Sequence, residues 1–268
     1  MAGRNWFETG GEAYAAYRPE YPQALADWLA ESTADAGGAR ELAVDVGCGS
    51  GQLTALLAER FERVIGVDPS SGQIASARRR EGVEYRVGPA EALPVPDGAA
   101  GLITAAQAAH WFDLDRFYAE ARRIAAPGAL VALIGYGLMR FDHDGDDPAA
   151  PDAVERRLAE RFDRFYAEEM GPYWPPERRI VEAGYTTVDF PFQEIDGPRL
   201  RIELRVALDA FLGYLSTWSA VARAREAGEE DLLAAFRGEL AELWGERART
   251  RPISWPLHLR VGSVGSGS

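Results

Sequence analysis

The chain has 268 residues, 47% of them hydrophobic, which is length and apolar content enough to bury one full core without a second domain. Its formal charge of −13 argues against a nucleic-acid backbone or an anionic membrane surface as partner, because each needs a basic footprint. All 29 basic residues are arginine, so phosphate-loop NTPases, kinases, Schiff-base enzymes and Tyr/Lys short-chain dehydrogenases are excluded for want of their lysine.

In chain order, Tyr14, Tyr17, Arg18 and Tyr21 cluster with Pro19 and Pro22 ahead of the first strand. Stiff and aromatic, residues 1–40 read as a lid segment. Residues 42–46 form a short buried strand. Gly47-Cys48-Gly49-Ser50-Gly51 follows at the mouth of a helix over 50–60, with Leu53, Leu56 and Leu57 at helical spacing. A dinucleotide fingerprint needs its third glycine one place later, where Gln52 stands, so the turn is expected to hold a cofactor other than NAD. Asp45, at the strand end, is placed to accept from the turn's amides and from a cation such as an amino-acid ammonium. A second strand over 64–67 leads into Asp68, which can take both hydroxyls of a ribose in a charge-assisted pair. The bland alternatives are an ordinary tight turn and a cap for the helix over 71–80. Strands over 83–87, 101–104 and 129–134, with a Pro127-Gly128 turn before the last, complete the alternation of a doubly wound sheet. In such sheets ligands gather outside the carboxyl ends of the parallel strands.

After the third strand comes Gly88-Pro-Ala-Glu-Ala-Leu-Pro94, and after the fourth Ala105-Ala-Gln-Ala-Ala-His-Trp-Phe-Asp113. With the glycine turn and Asp68, these loops resemble the class I S-adenosylmethionine-dependent methyltransferases. The second loop is similar to the branch that contains the trans-aconitate methyltransferases and related small-molecule enzymes. Tyr14-x-x-Tyr17-Arg-Pro-x-Tyr21-Pro22, Tyr173-Trp-Pro-Pro-Glu-Arg, Asp189-Phe-Pro-Phe192, Tyr214-Leu-Ser-Thr-Trp-Ser219 and Trp255-Pro-Leu-His-Leu-Arg-Val-Gly262 extend the likeness over nearly the whole chain. The resemblance implies a single domain over 1–268 with a Rossmann-like, seven-stranded, mostly parallel sheet, an antiparallel last strand and a helical cap. Its cofactor half is 41–136, its cap insertions are 137–184 and 194–250, and its closing strands are 185–192 and 253–261. It also implies S-adenosylmethionine as cofactor, held by Tyr14, Tyr17, Arg18, Asp45, Gly47, Cys48, Gly49, Gly51, Asp68, Pro69, Ser70, Ala90, Glu91 and Gln107. Many members carry Asp-Ala-x-x-Leu-Pro after the third strand, but Pro89 stands in place of that Asp. Ala90 and Glu91 are therefore expected to touch the adenine.

Three apolar stripes run through the insertions: Val154, Leu158, Phe162 and Phe165; Leu208, Phe211, Leu212, Leu215 and Trp218; and Leu232, Leu233, Phe236, Leu240 and Trp244. Most of these side chains are expected to be core. The substrate pocket is expected to take His110, Trp111, Tyr173, Trp174 and Trp218. A calcium loop counted from Asp142 would need glycine sixth and glutamate twelfth, where Asp147 and Ala153 stand, and His110, His143 and His258 lack zinc spacing; no metal is expected. Cys48, the single cysteine, reads as a small turn residue and permits no intramolecular disulfide. With no leader ahead of Trp6 and no long apolar run, a soluble cytoplasmic protein is expected.

Methyl transfer is an in-line displacement whose main requirement is alignment in a dry site. A base is needed only where the acceptor must lose a proton, and His110 is the candidate base or orienting group; packing beside Trp111 and Phe112 is the alternative. Arg18 pairs with an anionic substrate or with the methionine carboxylate, or stiffens the lid. The expected function is methylation of a small molecule, oxygen first, as carboxylate or hydroxyl, with nitrogen and carbon behind, in bacterial secondary metabolism. Alternatives are a cofactor-binding cyclase and a nucleoside-binding regulator. Nucleic-acid and membrane partners are not expected, and the oligomeric state is open.

Overall fold

The structure, a computed structural model, describes residues 17–142 and 153–265. Five parallel strands carry the site: β1 (Leu42–Val46), β2 (Arg63–Asp68), β3 (Val83–Val87), β4 (Ala100–Ala106) and β5 (Ala125–Tyr136). Strand β1 is buried along its whole length, as its apolar run requires when helices cover both faces. The order β3-β2-β1-β4-β5 reverses direction of growth beside β1, and the crevice opens at that switch point.

Helix α1 (Gln23–Asp35) buries Leu25, Ala26, Leu29 and Ala30 on one face, the 3–4 spacing that brings side chains onto one stripe. Helix α2 (Gln52–Leu57) begins at Gly51, whose left-handed φ of 79° makes the turn. The expected helix over 50–60 is thus shorter, because residues 59 and 60 close by tighter bonds to Leu56 and Leu57 carbonyls. Helix α3 (Ser71–Ala75) also stops early, against the expected 71–80. The Ser76 hydroxyl bonds back to the Gly72 and Gln73 carbonyls, and the Arg78 amide is drawn to the Ser50 carbonyl. Helix α4 (Leu114–Ile124) is capped by Asp113 and buries Phe117, Tyr118, Ala121 and Ile124.

Among the described residues the sheet has nine strands rather than seven. The long β9 (Arg251–Ser263) runs antiparallel to β5 and also pairs with three short strands: β6 (Arg140–Phe141), β7 (Gln193–Ile195) and β8 (Arg201–Val206). Strand β8 falls inside the segment expected to be helical cap. The expected strand over 185–192 is an irregular loop, and pairing begins only at Gln193. Tyr185 has a left-handed φ of 62°. The carbonyls a neighbouring strand would need are taken by side chains: Arg260 donates to Tyr185 and Val188, Tyr118 to Asp189 and Arg122 to Pro191. Pro191 has no amide to give.

The cap comprises α5 (Ala153–Arg164), the short α6 (Arg178–Glu182), α7 (Leu208–Ser216), α8 (Ser219–Glu226) and α9 (Glu230–Trp244). Its stripes interlock as expected: the Phe165 and Phe236 rings stack at 3.7 Å, and Phe211 lies against Trp244 at 5.6 Å. No helix among the described residues is long and apolar enough to cross a membrane.

Candidate active site

The glycine turn is fixed to its neighbour strand by two amides, Gly47 and Cys48, which both donate to the Val67 carbonyl at 2.7 and 3.1 Å. Asp68 then gathers the turn and the next helix together. Its Oδ2 accepts from the Gly49 amide at 2.9 Å and its Oδ1 from the Ser70 amide at 2.8 Å. The helix cap is Ser70, which accepts from the Gln73 amide, so the capping reading of Asp68 fails. Burial holds its carboxyl above the ordinary range, an effect the two amides oppose. Each oxygen keeps a second lone pair for a ligand hydroxyl.

Asp45 differs from expectation. Its oxygens accept from the hydroxyls of Thr54 at 2.6 Å and Thr104 at 2.8 Å, not from the turn's amides, which face Asp68 and Val67. The reason is direction: Asp45 pairs in register with Gly66 and Thr104 and sits inside the sheet rather than on the turn. Burial pushes its carboxyl up to about 6 in spite of the two hydroxyls.

A cavity of about 560 Å³ opens over these groups, within the ~300–1,000 Å³ range of small-ligand sites. Of the expected residues it brings together Asp45, Gly47, Cys48, Gly49, Asp68, Pro69, Gln107 and Trp111. Gly49 alone of the three turn glycines has room beside it: an added Cβ would have its nearest neighbour, Gln73 Oε1, 4.0 Å away. At Gly51 it would strike the Tyr85 hydroxyl at 2.1 Å. Gly51 therefore serves packing and does not line the cavity. The Cys48 thiol is pushed up by burial and by the nearby Asp45 and Asp68, which leaves it inert as a nucleophile. Gln107 lines the wall with a left-handed φ of 53°, its amide bonded to the Ile134 carbonyl.

Several expected residues are not brought to the cavity wall. Ala90 is buried in the core with Leu93 and Val95, and Glu91 accepts from the Asp113 amide at 2.9 Å. Ser70 is occupied as a cap. Tyr17 lies over Gly213, and Arg18 reaches Tyr136 Oη at 2.8 Å and the Thr217 carbonyl at 3.2 Å, tying this segment to the cap. Tyr14 lies outside the described residues, as does most of the acidic 142–147 segment. Tyr173 bonds Glu229, while Trp174 and Trp218 meet at 5.1 Å inside the cap cluster, and none of the three lines this cavity. His110, in a 3-10 turn over Ala109–Trp111, is likewise off the wall, its ring 4.8 Å from that of Trp111 and its Nδ1 3.5 Å from Tyr185 Oη. Burial, then the charge of Arg178, lowers its pKa to about 3, so the ring is neutral in ordinary buffers.

Sequence reasoning missed Gln52, Gln73, Tyr136, Glu177 and Arg223 on the cavity wall. Gln52 Nε2 and Gln73 Oε1 are buried without a hydrogen-bond partner, as befits a site that a polar ligand completes. One signal was available: Gln73 follows Asp68 by one helical turn and more, on the face that must look back at the glycine turn. Tyr136 and Arg223 carry no such local mark.

The fold is that of a doubly wound α/β protein with a cleft over the glycine turn at the strand ends. A family profile for a methyltransferase domain matches residues 44–133. A Dictyostelium discoideum protein named as a methyltransferase is 33% identical over 89% of this chain and 86% of its own length. Methyltransferase cfoB of Aspergillus candidus is 30% identical over 66% of this chain and 59% of its length. A solved structure from Anaeromyxobacter dehalogenans, described as a type II methyltransferase, is 45% identical, covers 94% of this chain and all of that one, and has a TM-score of 0.81. The chain belongs to the class I S-adenosylmethionine-dependent methyltransferases.

Proposed function

We propose that this protein binds S-adenosylmethionine in the cavity over its glycine turn and methylates a small organic molecule, on oxygen first, with nitrogen and carbon acceptors behind. The observation that carries the reading is the juxtaposition of Asp68, the open side of Gly49 and the unpartnered Gln52 and Gln73 in one cleft. When bound, the cofactor supplies an electrophilic methyl group on a sulfonium.

The residues fit that group. Asp68 would accept the ribose hydroxyls, and Asp45, also on the cavity wall, would offer negative charge to the ammonium. Tyr21, Trp111 and Tyr136 line the opening and exclude water, so alignment of acceptor and methyl supplies most of the rate. His110, neutral and off the wall, acts as a positioning residue through Trp111 and Tyr185 rather than as a base. A product of bacterial secondary metabolism is the kind of acceptor we favour.

Calorimetry with S-adenosylhomocysteine tests the cofactor half, and mass spectrometry for the gain of one methyl tests the reaction. Asp68→Ala should weaken S-adenosylhomocysteine by roughly 2–4 kcal/mol, since two charge-assisted bonds vanish. Unchanged affinity in the folded variant would remove Asp68 from the site. Conversion of an acceptor without methyl gain would favour a cyclase, and binding without any conversion a regulator.

A further inference from the structure

On one side of the cavity stands an amide that no protein group satisfies. Three residues of the segment joining β2 to α3 are on the wall: Asp68, Pro69 and Gln73. Gln73 is 5% exposed, and its backbone is held on both sides. Its amide donates to the Ser70 hydroxyl at 3.3 Å, and its carbonyl accepts from the Ser76 hydroxyl at 3.0 Å. Only the side chain is left to turn. Its Oε1 is buried without a hydrogen-bond partner, an arrangement that costs stability until a donor arrives.

Gly49 joins this amide to Asp68 in space. The Gly49 amide donates to Asp68 Oδ2 at 2.9 Å, and Gln73 Oε1 is the nearest group to the place a Cβ on Gly49 would take, 4.0 Å away. Matching donors with acceptors says which part of a ligand Oε1 suits. S-adenosylmethionine donates through its ribose hydroxyls, its ammonium and the 6-amino group of its adenine. Asp68 keeps a lone pair for each hydroxyl and Asp45 is the carboxylate for the ammonium, so the amino group is the donor left over and Gln73 Oε1 the acceptor left over. Pro69 has no side-chain group to offer, and neither β3 nor the loop after it contributes to the wall. The other unpartnered amide, Gln52, leaves a donor, its Nε2, and lies on α2 rather than after Asp68.

We propose that Gln73 reads the nucleobase of the cofactor, turning its carbonyl oxygen toward the 6-amino group of adenine, and that it takes a 6-oxopurine in the same place. This deepens the cofactor reading given above and rests on it. A carboxylate or a backbone carbonyl is an acceptor only and would reject a base that presents an oxygen at this position. A glutamine amide ends in one acceptor and one donor, and a half-turn about its last bond exchanges them. No hydrogen bond among the described residues holds the Gln73 amide in one orientation, so the half-turn breaks nothing. Selection of the base is accordingly slack, while the sugar is selected by Asp68.

The test is calorimetry with S-adenosylhomocysteine, S-inosylhomocysteine and the analogue whose purine has only hydrogen at C6. Wild-type protein should bind the first two within a few-fold of each other, and the unsubstituted purine roughly 10-fold more weakly, since it leaves the amide unpaired. Gln73→Met keeps the length of the side chain and removes both polar ends. It should bind all three alike, near the level of the unsubstituted purine in the wild type.

A wild-type preference for adenine over hypoxanthine of roughly 10-fold or more would show a fixed acceptor and overturn the proposal. So would an unsubstituted purine that binds the wild type as well as the other two; both outcomes are read without any variant. Gln73→Met that keeps the wild-type order would assign the base to another group, and an equal loss for all three ligands would make Gln73 a residue that shapes the pocket. Failure of all three to bind the wild type would overturn the cofactor reading itself, whereas tight binding without discrimination at C6 overturns only the role of Gln73.

Discussion

Asp45 illustrates how a residue can work against stability at a site. Its carboxyl is buried, and although the hydroxyls of Thr54 and Thr104 and the Thr54 backbone support it, it rises to about 6 from an ordinary 3.8. A folded-state value above the unfolded one means that the stability this group contributes is present below pH 3.8 and is lost as pH rises through 6. The change is about 3 kcal/mol by the usual conversion. Asp45→Asn should therefore gain stability over wild type as pH rises from 4 to 6, level off above that, and weaken S-adenosylmethionine binding; thermal melts and calorimetry across that range check both. A constant stability difference at all pH values would contradict the desolvation account. His110 shifts the opposite way, to about 3 from 6.5, so at neutral pH it holds no proton and is a weak base. His110→Ala should lower turnover about 10-fold, short of the ~100-fold or more of a general base, with S-adenosylhomocysteine affinity intact. A break near pH 6.5 in the rate profile that disappears in this variant would restore His110 as the base.

At the level of the elements, the glycine turn between β1 and α2 contains residues with the same left-handed backbone and different duties. Gly51, at φ 79°, stands against Tyr85, whose hydroxyl in turn bonds the Arg78 carbonyl. Gly49, at φ 54°, faces open space. Gly49→Ala should then cost only the ~1–3 kcal/mol of backbone strain while weakening cofactor binding. Gly51→Ala adds a steric conflict inside the sheet and should lose clearly more stability. Denaturant titration of the pair decides it: equal losses would mean that strain alone, and not Tyr85, sets the requirement for glycine at 51.

At the scale of the whole molecule, the cap and the sheet share one hydrophobic core, and the amino-terminal segment ties the two together beside the cavity. Arg18 joins the amino-terminal segment to Tyr136 on β5 and to Thr217 after α7, and Tyr21 meets Tyr136 at 6.4 Å. Both Tyr21 and Tyr136 line the cavity, so a ligand there touches sheet and lid together. Hydrogen exchange in residues 17–22 and 170–180 should slow when S-adenosylhomocysteine binds, while β5, paired on both sides, should barely change. Equal exchange with and without ligand would mean that the pocket is preformed and nothing closes over it.

What the sequence determined by itself was whatever is short-ranged. The bounds of β1 and β3, the Gly47 to Gly51 turn and Asp68 at the end of β2 follow from local apolar runs, glycine spacing and an acid at a strand end. The cap stripes followed from helical periodicity, which fixes a buried face without saying what it meets. Only the tertiary structure decided the rest. Residues 185–192 read as a strand, but Arg260 and Tyr118 reach across from distant elements and take their carbonyls. Trp174 and Trp218 read as pocket residues, yet their rings meet within the aromatic cluster that joins the cap to the core. Contacts of that kind are made by residues far apart in the chain, and no local pattern encodes them.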